Sequence, residues 1–421
     1  MLNFLKSSDL KNRIFFTISV LIIFRLLAHI PAPGVDLEGI RALLSGNAFL
    51  NLFNLFSGGG FQNFSIITLG LAPYINASII MQLAGQIIPK LEELQKEGES
   101  GRALINQYTK YLTVPLALLQ SYGIYFLLTT QIGIVDGLSS FELVVLIVTL
   151  TGGTLLLTWI GDLVTEKGIG NGVSLLIFAG IIGALPTSIL NLYLSVNQDT
   201  IMNTIAFLIL GLLVIVGIVL VNEGTRNIPL EYGRRDFSRP SSNSSYLPIK
   251  VNQVGVIPII FAVSIVLIPS FLAPVLSSAP IYVLNVIGDF LTVNFTNASP
   301  LYYITEFTLV FVFTYFYTLV QFNPEKIAED IKKRGGFIPG IRPGLGTQKY
   351  LFFIVTRLTL FGALFLGFVA ILPYLVSEVF GVTYLVGVGG SGILIVVSVV
   401  LETIRQIESM LVTRNYERFL D

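Results

Sequence analysis

The sequence predicts an all-α integral membrane protein of ten transmembrane helices, built as two inverted halves of five. Three observations carry that reading. Of 421 residues, 53% are hydrophobic and 12% charged, whereas soluble domains carry roughly 25% charged residues. Ten stretches are apolar over about the 20 residues that a helix needs to cross the hydrocarbon layer. The basic residues fall almost entirely between alternate stretches.

The ten spans are expected near 14–30, 71–89, 111–131, 142–161, 172–190, 203–221, 254–273, 303–321, 350–372 and 383–402. Ahead of the first, Lys6, Lys11 and Arg13 have the look of a secretory leader. Arg25 interrupts the apolar run, however, and Pro31 and Pro33 occupy the place of a small-residue cleavage site, so an uncleaved span is expected. With the N-terminus in the cytosol, 22 of the 25 Lys and Arg residues lie on the cytosolic side, and outside there is only Arg41. That asymmetry places both termini in the cytosol.

Two expected cytosolic loops, 222–253 and 322–349, are long and polar. Orientation alone needs only a few charges, so their length favours docking of a partner over a plain linker.

Five spans per half put the second half into the membrane upside down, and inverted halves commonly place their working site at the interface. Span two opens Gly70-Leu71-Ala72-Pro73-Tyr74-Ile75 and its counterpart, span seven, opens Gly255-Val256-Ile257-Pro258-Ile259-Ile260; both read G-x-x-P-x-I. Spans five and ten open on Gly168-Ile169-Gly170-Asn171-Gly172 and Gly387-Val388-Gly389-Gly390-Ser391-Gly392, with Ile177 and Ile395 following. Singly these are ordinary small-residue packing motifs; matched across two halves they suggest a central apolar pathway.

Glu142, Asp162, Glu306 and Glu402 are expected at span edges, and Arg25, His29 and Arg357 near span ends, where they snorkel or cap rather than relay protons. A secondary transporter would need polar binding groups at mid-membrane, which are scarce here. An intramembrane enzyme would need a buried catalytic set. The chain has no cysteine and one histidine, and it lacks both H-E-x-x-H and G-x-S-x-G. Gly387 to Gly392 fits the dinucleotide fingerprint, but it opens a lipid-length helix rather than following a strand. A scaffold that merely holds ribosomes would not need matched apolar segments. No cofactor and no metal site are expected.

Several blocks resemble a known family. They are Phe24-Arg25 with Ile30-Pro31-Ala32-Pro33-Gly34, Phe53-Asn54-Leu55-Phe56-Ser57-Gly58-Gly59, Gly98-Glu99-Ser100-Gly101-Arg102, Glu166-Lys167 running into Gly168-Ile169-Gly170-Asn171-Gly172, and Phe337-Ile338-Pro339-Gly340-Ile341-Arg342-Pro343-Gly344. In this order they closely resemble the SecY/Sec61-alpha family, the central channel subunits of the Sec protein translocase. The resemblance implies a channel, not itself an enzyme, in the bacterial cytoplasmic membrane. It would translocate unfolded secretory polypeptides and release hydrophobic segments sideways into the lipid bilayer.

The fold implied is a clam-shaped bundle with halves 1–200 and 201–421 around a central hourglass pore. Carried over by position, the pore ring would be Leu71, Ile75, Val173, Ile177, Ile260 and Ile395. A short re-entrant helix, about 53–64, would be the plug, with Phe56, Ser57, Gly58, Gly59 and Gly60 in it and the three glycines as its mobile part. The lateral gate would open between spans two and three on one side and seven and eight on the other, with polar positions Asn76, Gln120 and Asn252. Partners implied are small SecE- and SecG-like subunits, the SecA motor ATPase, the ribosome and polypeptides bearing signal sequences. Arg342 matches the family's docking arginine. The family's paired basic residues in the first loop are reduced here to Arg226, with Arg234 and Arg235 as candidates in their place.

Overall fold

The computed structural model describes residues 8–33, 37, 39–40, 54, 57–132, 139–195, 201–232, 245–296, 299–380 and 389–417. In chain order the elements are α1 (Ser8–Leu27), α2 (Ala72–Ile87), α3 (Pro89–Lys96), α4 (Glu99–Ile132), α5 (Ser140–Lys167), α6 (Gly172–Ser195) and α7 (Ile201–Glu223). They continue with β1 (Thr225–Tyr232), β2 (Ser245–Lys250), α8 (Ile257–Ser277), α9 (Tyr282–Leu291), α10 (Pro300–Gln321), α11 (Pro324–Lys333), β3 (Gly336–Phe337), α12 (Leu345–Phe380) and α13 (Gly389–Glu417).

Each of the ten expected spans meets one helix: α1, α2, α4, α5, α6, α7, α8, α10, α12 and α13. Their ends differ where the physics changes. Apolar content marks only the part in lipid, so α4 starts at Glu99, well before residue 111, and α12 runs from Leu345 to Phe380. Span seven starts late, at Ile257, because Gly255 takes a left-handed φ of 66° and the Asn252 side chain accepts its N–H at 3.2 Å. Eight of the described helices are long and apolar enough to cross a membrane unaided. The exceptions are α1, which carries Lys11, Arg13 and Arg25, and α2, which has 16 residues. At 1.5 Å per residue α2 rises about 24 Å, short of the roughly 30 Å hydrocarbon core.

What makes up for the short α2 is the chain before it. Residues 57–71 run in consecutive turns, with Ser57, Phe61, Phe64, Ser65, Ile67 and Leu69 all buried. They strap onto the chain leaving α1: Ala32 N donates to Phe64 O at 2.7 Å and Ile66 N to Ile30 O at 3.0 Å. Irregular backbone of this kind can lie at membrane depth only where protein shields it.

The halves meet along two seams. On one, α8 packs against α2 and α4; on the other, α13 packs against α6. Within the halves, α2 packs on α4, α4 on α5 and α5 on α6, and likewise α8 on α10, α10 on α12 and α12 on α13.

The two polar loops are built structures rather than solvated linkers, which corrects the all-α expectation locally. Strands β2, β1 and β3 form a small sheet in that order, with both pairs antiparallel, and β1 takes β3 from the second loop through Glu231 and Phe337. Ile228 and Leu230 alternate inward along β1 and join Ile249, Ile331, Ile338, Leu351, Ile354 and Val355 in a separate small core. Helix α11 closes it, with Asn323 capping its start and Ala328 and Ile331 buried.

Candidate functional site

The six expected ring residues come from four helix starts or the turn just before one. Leu71 precedes α2 and Ile75 lies in its first turn, where Pro73 is tolerated because the N–H it lacks would have no intrahelical partner. Val173 and Ile177 open α6, where the Asn171 side chain accepts Ser174 N at 3.1 Å. Ile260 opens α8 and Ile395 lies in the first turns of α13. Five are buried, Val173 is half-buried, and all six lie in one continuous apolar cluster with Phe61, Phe64, Ile67 and Leu69 of the turn segment. Branched aliphatic side chains in such a cluster can exclude water and ions, yet offer nothing polar to hold a passing chain.

Of the expected plug, Phe56 lies outside the described residues. Residues 57–64 form turns rather than the expected helix. Gly58 and Gly59 have φ of 70° and 83°, which a continuing helix would not permit. This stretch is firmly held. Arg25 donates from Nη1 to Gly58 O at 2.7 Å and from Nη2 to Gly183 O at 3.3 Å, joining α1, the turns and α6. The expectation that Arg25 caps carbonyls therefore holds. A Cβ at Gly58 would run into the Phe24 ring.

The three expected gate amides have different surroundings. Asn252 donates from Nδ2 to Asn222 Oδ1 at 2.7 Å and to Gly255 O at 3.3 Å. Asn222 in turn donates to Ser398 Oγ at 2.8 Å, and Arg405 donates to Asn222 O and to Glu223 Oε1, each at 2.7 Å. This chain fastens α7, the approach to α8 and α13 together, all in the C-terminal half. By contrast Asn76 Oδ1 on α2 and Gln120 Oε1 on α4 are buried without a hydrogen-bond partner. The structure thus bonds Asn252 away from the seam rather than across it. Beside the fastening, burial and then the Arg405 charge hold the Lys250 ammonium below its ordinary value.

Asn222, Ser398 and Arg405 were not singled out by the sequence. The available signal was Asn222 itself: an amide at the end of an otherwise apolar span needs a partner. Elsewhere, Lys110 on α4 lies 2.5 Å from Asp162 on α5, so that span-edge acid is paired. Glu306, expected at a span edge, is instead fully buried in α10.

Of the expected docking residues, Arg226 is exposed on β1 and Arg342 is exposed in the turn before α12. Arg234 and Arg235 lie outside the described residues.

A family model described as SecY matches residues 65–404. The chain belongs to the SecY family. It is 42% identical to the protein translocase subunit SecY of Corynebacterium glutamicum, over 99% of this chain and 98% of that one. With the subunit of the same name from Thermus thermophilus it shares 44%, over 99% and 96%. Its fold matches a structure described as a protein conducting channel, with a TM-score of 0.65 at 20% identity, covering 96% of this chain and 93% of that one. A SecY structure concerned with the plug domain matches at 0.66 and 22%, with the same coverage. Canine Sec61 in a ribosome–channel complex matches at 0.61 and 20%, again over 96% and 93%. The ten helices in two halves are those of the SecY fold.

Proposed function

We propose that this protein-conducting channel subunit passes unfolded polypeptides through the ring of Leu71, Ile75, Val173, Ile177, Ile260 and Ile395. The observation that carries the reading is the convergence of the starts of α2, α6, α8 and α13 on one apolar cluster. The turns at 57–64 are the plug, released when a chain enters, and Arg25 is the residue that holds them at rest. Apolar segments leave sideways between α2 and α4 on one side and α8 and α10 on the other. The halves that separate are 1–200 and 201–421.

The Lys and Arg distribution supports a place in the bacterial cytoplasmic membrane with both termini cytosolic. On that side the two polar loops, with Arg226 and Arg342, form the docking face for a SecA-like motor or the ribosome. Small SecE- and SecG-like subunits complete the complex, and the partners supply the energy.

The test uses the absence of natural cysteines. One cysteine is placed at Ile260 and another in a secretory polypeptide stalled midway, and reconstituted membranes are oxidised. A disulfide is expected at Ile260 and not at Leu213, which is 63% exposed on α7. Absence of a bond at Ile260, Ile75 and Ile395 over a range of stall lengths would refute the ring.

A further inference from the structure

Between the halves, one polar contact does cross the seam, and it involves none of the three expected amides. The Gln82 side-chain amide on α2 and the Tyr317 hydroxyl on α10 share a hydrogen bond. Both residues are half-buried. Gln82 is set by its own helix, donating from Nε2 to Ser78 Oγ one turn earlier at 3.1 Å. Tyr317 is set by the opposite half: its ring meets Phe261 of α8 edge-on, centroids 5.5 Å apart at 75°, and Phe261 meets Phe313 of α10 at 6.1 Å and 85°.

The three rings belong to one half and so travel together, leaving Gln82 as the member from the other side. An apolar segment entering the seam can replace contacts with the Phe261 and Tyr317 rings. It cannot replace a hydrogen bond, so both the amide and the hydroxyl lose a partner in an apolar setting. Segments of greater hydrophobicity offset that loss, and weaker ones do not.

We propose that the Gln82–Tyr317 hydrogen bond, seated on the Phe261 ring, latches α2 to α10 and sets how hydrophobic a segment must be to part the seam. The proposal rests on the sideways-release reading above. It differs in placing selectivity in one bond whose two ends are on the page, rather than in Asn76, Gln120 and Asn252.

The experiment measures membrane insertion and export of reporters behind a series of signals with stepwise fewer leucines, at matched channel abundance. Gln82→Leu and Tyr317→Phe should each raise use of the weakest functional signal about threefold, as loss of one membrane side-chain bond implies. Tyr317→Phe keeps the ring, so folding is preserved. The double variant should gain no more than either single one, because only one bond is lost. Unchanged thresholds, or effects that multiply, would overturn the latch. A control separates this from failure of the sideways-release reading: Gln82→Cys with Tyr317→Cys, bridged by a short bis-maleimide, should stop insertion of apolar anchors. A bridged channel that still inserts them would overturn that reading and the latch with it. A bridge that blocks insertion beside unchanged thresholds would leave the gate and remove only the latch.

Discussion

The amides of the C-terminal half and those facing it across the seam are similar in chemistry and opposite in circumstance. Asn222 and Asn252 are bonded to each other and onward to Ser398, whereas Asn76 and Gln120 each bury a carbonyl oxygen with no partner. A buried acceptor left unmet costs about 1 to 3 kcal/mol, so these two raise the free energy of the closed arrangement. The difference separates a part that must stay together from a part that must come apart. Helix α8 is fastened to α7 and α13 and moves with them; its contacts with α2 and α4 carry little polar bonding to break.

The largest effect expected from disrupting this contrast is at Asn222. Replacing it with alanine removes the bonds to Asn252 and Ser398 together and leaves both buried groups unpaired. A loss of about 2 to 3 kcal/mol is expected, read as earlier thermal unfolding of the purified channel. The N-terminal half offers a matching test. Gly58→Ala forces a side chain into the Phe24 ring at a left-handed φ, with an expected cost of about 1 to 3 kcal/mol. The same variant should raise ion conductance through idle channels in planar bilayers; unchanged conductance would argue against a sealing role for these turns.

A smaller effect, of opposite sign, is expected at the seam. Asn76→Leu and Gln120→Leu remove unmet acceptors, so each should stabilise the closed state by about 1 kcal/mol. Weak signals should then be used less well, the reverse of Gln82→Leu. Smallest of all, Arg226→Ala and Arg342→Ala alter exposed side chains and should change stability by under about 0.5 kcal/mol. Their effect should appear only in transport driven by a cytosolic partner, measured against unchanged partner-free unfolding.

The spans were legible because lipid excludes charge, so the gaps between charged residues outline the helices. Helix ends were less so: α4 and α12 continue into water, where apolar content no longer marks them. The sheet was hidden by attention to charge. In Thr225-Arg226-Asn227-Ile228-Pro229-Leu230 the alternation of Ile228 and Leu230 was present, but short and beside conspicuous basic residues. The ring could be proposed because the G-x-x-P-x-I repeat places two of its members locally, at the starts of α2 and α8. The fastening could not, since Asn222 lies 176 residues from Ser398. The partner of Asn252 is likewise decided by which way one side chain turns.

The pairing of β1 with β3 means that the two cytosolic loops are not separate handles. Glu223 ends α7 two residues before β1 begins, and Lys250 ends β2 two residues before Asn252. Force applied by a partner to either loop is therefore delivered as a torque on the bonded body of α7, α8 and α13. The seam yields because a lever anchored elsewhere turns one wall of it.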